Sequence, residues 1–229
     1  TARAVELARE AVNEVAPDRP VAVAGSMSNN HAWIPGTVSP DPRFLPTPAE
    51  EVANYREMAE TLAAAGVDLI LMEMMSDIDQ ASLVTAAAVE TGLPVWIGVS
   101  CSLLADGSVG AWDMHTEEPA YRLATDHTKP RTKSLDPLIE AMAAFEPQVM
   151  GIMHSTVDAM DAGLEVLSEH WRGPVMAYPE TAAAHAVEPA DFASDCRDWV
   201  EGGVQIIGGC CGTTIEHIRS MVSELPDRG

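Results

Sequence analysis

The chain is very poor in lysine. Of 13 Lys and Arg in 229 residues only Lys129 and Lys133 are lysines, against 35 Asp and Glu, for a formal net charge of −22. A basic face for a nucleic-acid backbone or an anionic membrane cannot be assembled from so few scattered cations. No run approaches the roughly 18 apolar residues of a membrane-spanning helix, and Thr1 opens on an Ala/Glu/Arg helical pattern without a basic-then-apolar leader. Cysteine is sparse too: Cys101, Cys196, Cys210 and Cys211. A chain of this length does not need disulfides to fold, and adjacent cysteines rarely bridge each other without strain. Dinucleotide-type Gly-x-Gly-x-x-Gly and Gly-Lys-Ser phosphate loops are absent, as are linkers and low-complexity tracts. The expectation is a soluble, cytoplasmic protein with reduced thiols and small-molecule partners.

What is present is an alternation of two kinds of segment. Short apolar runs occupy residues 21–25, 67–73, 95–100, 149–153, 175–178 and 204–207; bounded by Gly or Pro, they read as strands buried on both faces of a parallel sheet. Between them lie helical patterns at 1–16, 47–65, 77–91, 134–145, 156–171, 188–202 and 213–225. Pro48 suits a first helical position. Thr213-Thr-Ile-Glu216 reads as a capping box, and Gly66 and Gly203 as parts of helix stops. The order is a helix followed by six strand–helix units over one domain, 1–229. That is α/β, either an open wound sheet or a (βα)8 TIM-type barrel with about six of its units visible. Residues 26–46 and 102–133 read as long loops after strands, where such folds place function.

In a parallel barrel all strand C-termini open on one face, and the chemistry lies there. The expected ends carry Ser26, Glu73, Cys101, His154, Tyr178 with Glu180, and Cys210 with Cys211. Thiolate and imidazole suit zinc. Gly208-Gly-Cys-Cys-Gly212, between a strand and a capped helix, is the most specific feature; aligned helix amides there would favour thiolates. His154 reads as a ligand or as a hydrogen-bonded structural residue, with Cys101 competing for the ligand role. Cys196, mid-helix, reads as packing. Glu73 ends an apolar strand, where a carboxylate needs a partner; it suits a substrate ammonium. Glu180 reads as a strand-end site residue or as a solvated side chain. His31, His115, His127, His170, His185 and His217 show no spacing that assigns a role, and Trp33 and Trp112 lie in the long loops.

These residues resemble the homocysteine S-methyltransferase family of zinc-dependent (βα)8 barrels. The matching stretches are Val23-Ala-Gly-Ser26, Ala65 to Glu73, Gly151-Ile-Met-His154, Tyr178-Pro179 and, above all, Gly208-Gly-Cys-Cys-Gly-Thr213 with Ile218 behind it. The resemblance implies Zn²⁺ on Cys210, Cys211 and His154. It also implies an amino-group contact from Glu73, with Ser26 and Tyr178 lining the pocket, and methyl transfer from a cationic sulfonium or ammonium donor to homocysteine, giving methionine.

Two departures stand out. The family's amino-terminal Asp-Gly-Gly and Thr-Asn-Thr-Tyr stretches have no counterpart, so the first two strands are expected to be absent; the unpaired edges would invite association, including homo-oligomers. And where the family ends a Gly-x-Asn-Cys run with a zinc cysteine, this chain has Gly151-Ile-Met-His154. Three thiolates on Zn²⁺ make a centre of charge −1, whereas one imidazole and two thiolates make it neutral. A substrate thiol ionises more readily on the neutral centre and is then intrinsically less nucleophilic. The change leaves two other readings: a different thiol acceptor, or an inactive member serving as a scaffold or thiol-binding module.

Overall fold

The computed structural model describes residues 1–29, 41, 43–103, 107–111, 133–181 and 186–225. His31, Trp33, Trp112, His115, His127 and His185 lie outside the described residues, as do Glu117-Glu118 and Lys129-Pro-Arg131. The chain runs α1 (Ala2–Val15), β1 (Ala24–Met27), α2 (Pro48–Ala64), β2 (Leu69–Met75), α3 (Ile78–Glu90) and β3 (Val95–Val99). Three short strands follow, β4 (Cys101–Leu103), β5 (Val109–Ala111) and β6 (Lys133–Ser134), and then α4 (Asp136–Ala143). The last units are β7 (Val149–Thr156), α5 (Val157–His170), β8 (Val175–Glu180), α6 (Pro189–Glu201), β9 (Ile206–Ile207) and α7 (Ile215–Glu224).

Six strands form one sheet in the order β1-β2-β3-β7-β8-β9, each parallel to its neighbour. A doubly wound sheet reverses its strand order at a switch point. This order never reverses, which is how a barrel wall is laid down, so of the two expected architectures the barrel type is the one found. The small antiparallel sheet β4-β5-β6 occupies part of the segment read as a loop. Its pairing follows β3 after a single residue, Ser100, so the chain leaves the wall through a hairpin before α4 returns it.

The local devices are partly those expected. Thr47 and Glu50 close a capping box on α2, with Pro48 in its first turn, and Asp77 caps α3 by accepting from the backbone N–H groups of Asp79 and Gln80. Gly66 and Gly203 adopt φ of 85° and 108°, left-handed stops that glycine reaches without a Cβ clash. The box expected at Thr213–Glu216 sits one residue later: Thr214 is the N-cap and His217 reaches back to it. The first strand also begins three residues late, because Val23 is held by Asp68 rather than by a continuing ladder.

That hold recurs. Asp68, Gln148 and Gln205 each precede a strand, and each clasps the start of the previous strand with two bonds. The side-chain oxygen accepts from the N–H of Val23, Val95 or Val175, at 2.6 Å in all three cases. The backbone N–H returns a bond to the same residue's carbonyl, at 2.9, 3.0 and 3.0 Å. Such a clasp satisfies a strand-start donor that the ladder leaves open and fixes register where the sheet begins.

Between sheet and helices the core is aliphatic and rich in methionine. Nine of the 12 methionines are buried among the described residues, and the flexible thioether fills gaps that a chain with three Phe cannot fill with rings. Against β8 there is no room for a side chain at Gly151 of β7, where a Cβ would run into the Met176 carbonyl oxygen and side chain. Gly151→Ala is therefore expected to destabilise the fold by about 3 kcal/mol, the upper end for overpacking, because rigid backbone opposes the new atom. A urea midpoint equal to wild type would refute this.

Candidate metal centre

The parallel arrangement brings strand ends from across the chain to one rim. β1 contributes Ser26, β2 Glu73, β7 His154, β8 Tyr178 and Glu180, and the turn after β9 Cys210 and Cys211. The rim is shaped by two irregularities. The β2–β3 register shifts between Met72 and Met75, and the β7–β8 register between Met153 and Thr156. Within those bulges Met74 and His154 have φ of 61° and 45°. Left-handed backbone is uncommon outside glycine, though histidine is among the residues enriched there. Bulges at strand ends re-aim side chains. Here the Met74 N–H donates to Met153 Sδ at 3.2 Å and the Ser100 hydroxyl to the same sulfur at 3.4 Å, which ties the two bulges together.

The Cys-Cys turn is pinned to the end of β8. Cys210 N–H donates to the Pro179 carbonyl at 2.9 Å, Thr181 N–H to the Cys211 carbonyl at 2.7 Å, and Thr213 N–H to the Cys210 carbonyl at 3.2 Å. Gly209 must be glycine for the turn to close on Thr213, whose side chain stands where a Cβ would go.

His154 Nδ1 lies 3.4 Å from Cys210 Sγ, and the two cysteine sulfurs are 3.9 Å apart; one donor atom from each of the three residues lies within 4.8 Å of the others. In a tetrahedral zinc centre with Zn–S of about 2.3 Å and Zn–N of about 2.0–2.1 Å, two sulfurs stand about 3.8 Å apart and a sulfur and a nitrogen about 3.6 Å. The donor set and its spacing fit that ion. Burial pushes the Cys210 thiol up to about 12, with neighbouring Cys211 and Glu73 adding to the rise. This differs from the thiolate-favouring helix terminus expected from sequence: α7 starts only after its N-cap at Thr214, and a buried sulfur without a compensating cation stays protonated.

Cys101 is not in this cluster. Its backbone N–H and thiol both bond Ser155 Oγ, at 2.9 and 3.5 Å, and the thiol also donates to the Ala159 carbonyl at 3.7 Å. It packs against α5, where a Cβ on Gly163 would come within 2.8 Å of the sulfur. Cys196 is fully buried in α6, and burial holds its thiol up at about 12. His170 bridges Asp136 and Glu140 at 3.0 and 3.3 Å and, with Glu169, forms a second cluster joining α4 to α5. His217 caps α7: its Nδ1 accepts from the Thr214 N–H at 3.2 Å and its Nε2 donates to the Val187 carbonyl at 2.8 Å, with the ring perpendicular to that of Phe192. Both histidines serve packing and capping.

Ser26 donates a very short hydrogen bond to Glu73, so these two strand ends act as one unit. Tyr178 points inward. Its hydroxyl is buried with no hydrogen-bond partner among the described residues, and burial, then the charges of Glu73 and Cys210, raise its pKa well above the usual phenol value. The space for that hydroxyl comes from Gly98, where a Cβ would sit 2.6 Å from it. Gly98 was not read as a site residue, although an isolated glycine inside an apolar strand is a signal of close approach. Glu180 stands 3.6 Å from His154 Nδ1, with both side chains mostly shielded from water (18% and 22% exposed for His154 and Glu180). Among the described residues no helix is long and apolar enough to cross a membrane.

Comparison with known proteins bears on both fold and family. Betaine–homocysteine S-methyltransferase 1 from Bos taurus is 28% identical over 252 residues, covering 99% of this chain and 56% of that protein; the Mus musculus protein of the same name is also 28% identical over the same span. The chain thus spans a little over half the length of these curated relatives. Among solved structures, the homocysteine methyltransferase MmuM from Escherichia coli superposes in its apo form with a TM-score of 0.64 at 19% identity, covering 98% of this chain and 72% of that one. Its metallated form gives 0.61 at 20% identity, covering 98% and 69%. At those identities the likeness speaks for the shared fold. The homocysteine S-methyltransferase family model matches residues 1–225, and with the Cys-Cys turn, the strand-end imidazole and the unreversed parallel wall in place, the chain belongs to the homocysteine S-methyltransferase family.

Proposed function

We propose that this chain acts as a zinc-dependent S-methyltransferase, moving a methyl group from a cationic sulfonium or quaternary ammonium donor to the thiol of homocysteine to give methionine. The observation that carries this reading is the spacing of one imidazole nitrogen and two sulfurs, 3.4 and 3.9 Å, on the same rim as a paired carboxylate. The relatives named above are homocysteine methyltransferases by name, and the same acceptor is proposed here.

His154, Cys210 and Cys211 would hold the cation with three protein donors, the number found in catalytic zinc centres that keep a position for substrate. The cation supplies Lewis acidity there, favouring the thiolate form of an acceptor thiol near neutral pH. Glu73 receives the ammonium group of the amino acid. The Ser26 hydroxyl, already donating to Glu73, fixes the carboxylate's orientation before substrate arrives. The Tyr178 hydroxyl is a free donor aimed into the same space. Methyl transfer then forms one sulfur–carbon bond as the donor's C–S or C–N bond breaks. The electron pair leaves with a neutral sulfide or amine, so no general acid is required. Holding the two reactants in line supplies much of the acceleration.

Four outcomes are expected. Purified protein supplied with Zn²⁺, homocysteine and methyl-labelled S-methylmethionine or betaine yields labelled methionine, detected by mass spectrometry. Metal analysis finds zinc in the wild type and little in His154→Ala, and equal content in the two would remove His154 from the ligand set. Glu73→Gln raises KM for homocysteine roughly 10- to 100-fold, the worth of a charge-assisted hydrogen bond, while zinc content holds. Tyr178→Phe leaves thermal stability unchanged or raises it by up to about 1 kcal/mol, since it deletes an unpartnered buried donor; a clear loss of stability would show that the hydroxyl is bonded after all.

A further inference from the structure

Gly98 leaves a gap on the inner face of the wall. Ile152 of β7 faces α5, where Gly163 approaches it, so Gly151 and Met153 on either side of it face the barrel interior. Gly98 of β3 is the register partner of Gly151, and Tyr178 of β8 is the register partner of Met153; register partners in a sheet share a face. β7 lies between β3 and β8, yet the Tyr178 hydroxyl rests against β3, where a Cβ on Gly98 would stand 2.6 Å from it. The tyrosine side chain therefore lies along the wall, across β7, instead of standing up into the interior.

We propose that Gly98 is a positioning residue for acceptor selection: the room it leaves on β3 seats the Tyr178 hydroxyl, keeps the ring against the wall, and so reserves the space between Glu73 and the cysteine sulfurs for an acceptor of homocysteine's length. The inference rests on the acceptor reading above and deepens it. Its basis is what surrounds the missing side chain. A Cβ on Gly98 would meet three groups: Met153 Cγ at 2.6 Å, the Tyr178 hydroxyl at 2.6 Å and the Met72 carbonyl oxygen at 3.3 Å. The carbonyl belongs to the backbone of β2 and is fixed by the sheet. The Met153 side chain is tied through its sulfur, which accepts from the Met74 N–H and the Ser100 hydroxyl. The tyrosine hydroxyl has no hydrogen-bond partner among the described residues. Of the three neighbours it alone is held by room and not by a bond, so it is the one that a side chain at residue 98 displaces.

The direction of that displacement matters for the site. The wall blocks the ring from behind, so it yields into the interior, toward the rim. The hydroxyl already feels the charges of both Glu73 and Cys210, which puts it within electrostatic reach of the carboxylate and of the sulfur. Those are the two groups that the acceptor reading assigns to the opposite ends of one amino acid. A ring pushed off the wall enters the space that the acceptor's methylenes would fill, and an acceptor with fewer methylenes loses less.

The test measures, by calorimetry and without a methyl donor, the binding of homocysteine and of cysteine, one methylene shorter, to the purified protein supplied with Zn²⁺. The proteins compared are wild type, Gly98→Ala, Tyr178→Phe and the double variant, with melting and zinc content verifying that fold and centre survive. Gly98→Ala is expected to weaken homocysteine binding by about 10-fold or more, within the worth of one methylene in a pocket, and cysteine binding by about 2-fold at most. Removing the hydroxyl gives the room back, so the double variant should bind homocysteine as Tyr178→Phe does. Wild-type affinities in Gly98→Ala, an equal loss for both thiols, or a double variant as impaired as Gly98→Ala would each overturn the proposal. If Gly98→Ala does not melt cooperatively, Tyr178→Leu decides, since it removes the ring without needing new space. A thiol amino acid one methylene longer than homocysteine should then gain about 10-fold on it, and an unchanged ratio would overturn the proposal. A wild-type protein that binds neither thiol, a result read before any variant, would overturn the acceptor reading itself.

Discussion

Three donor atoms from two distant stretches of chain can share one cation only if the backbone delivers them to a point within about 4 Å. Here that delivery depends on the parallel wall. Because every strand of the wall runs in the same direction, residues as far apart in the chain as Ser26 and Cys211 arrive on one rim. Because β7 and β8 close tightly at Gly151, the imidazole of one and the turn pinned to the other lie within bonding reach. The Cys-Cys turn is not a free loop: Pro179 and Thr181 grip it from β8 by backbone hydrogen bonds, so the two sulfurs move with the wall. Loosening the β7–β8 contact would separate the donors without changing any of them.

The rim is also an electrostatic trap for a cation. Glu73, Glu180 and Cys210 gather on a half-buried part of the rim beside exposed Cys211, and the physical response of the metal-free chain is visible in the Cys210 thiol. Cys210 is held protonated by burial, with Cys211 and Glu73 reinforcing the effect, and the Tyr178 hydroxyl is held neutral for the same reasons. Groups that repel one another's ionisation remain uncharged, or demand a positive partner. Under the proposed function the two demands would be met by different means: the amino group of the acceptor for Glu73, already oriented by Ser26, and a metal ion for the sulfurs.

Much of this was legible in the sequence. Apolar runs bounded by Gly or Pro placed all six wall strands, and Ser26, Glu73, His154, Tyr178, Cys210 and Cys211 were placed at strand ends from position alone; the structure brings them to one rim and sets Cys101 apart, on β4 and packed against α5. What escaped notice did so for identifiable reasons. The clasps of Asp68, Gln148 and Gln205 each depend on a single polar residue, two of them enclosed in the apolar runs 67–73 and 204–207 and one just before the run 149–153, too short a pattern to register. The hairpin of β4 and β5 consists of three-residue strands, below the length at which alternation can be seen. Gly98 was hidden inside Val95 to Ser100, since a strand read as one apolar unit conceals the position whose missing side chain makes room for another. The one-residue slip of the α7 cap, from Thr213 to Thr214, arose because two adjacent threonines offer the same chemistry and only the positions of Gly209 and Cys210 decide between them.

The bulges explain why a histidine can stand at residue 154. A left-handed backbone outside glycine carries strain on the order of 1–3 kcal/mol and survives only where its surroundings over-determine it. Met74 and His154 both adopt it, on strands separated by β3, and Met153 lies between them with its sulfur accepting from the Met74 N–H and from Ser100. The strain at one strand end is thus braced against the other through a thioether able to adapt to both. Histidine tolerates this conformation better than a β-branched residue would, and its ring brings Nδ1 to within 3.4 Å of Cys210 Sγ. The exchange of thiolate for imidazole therefore has a backbone as well as a charge aspect: the bulge that aims the ring and the donor that the ring supplies are one feature of the wall, and neither can be altered without moving the other.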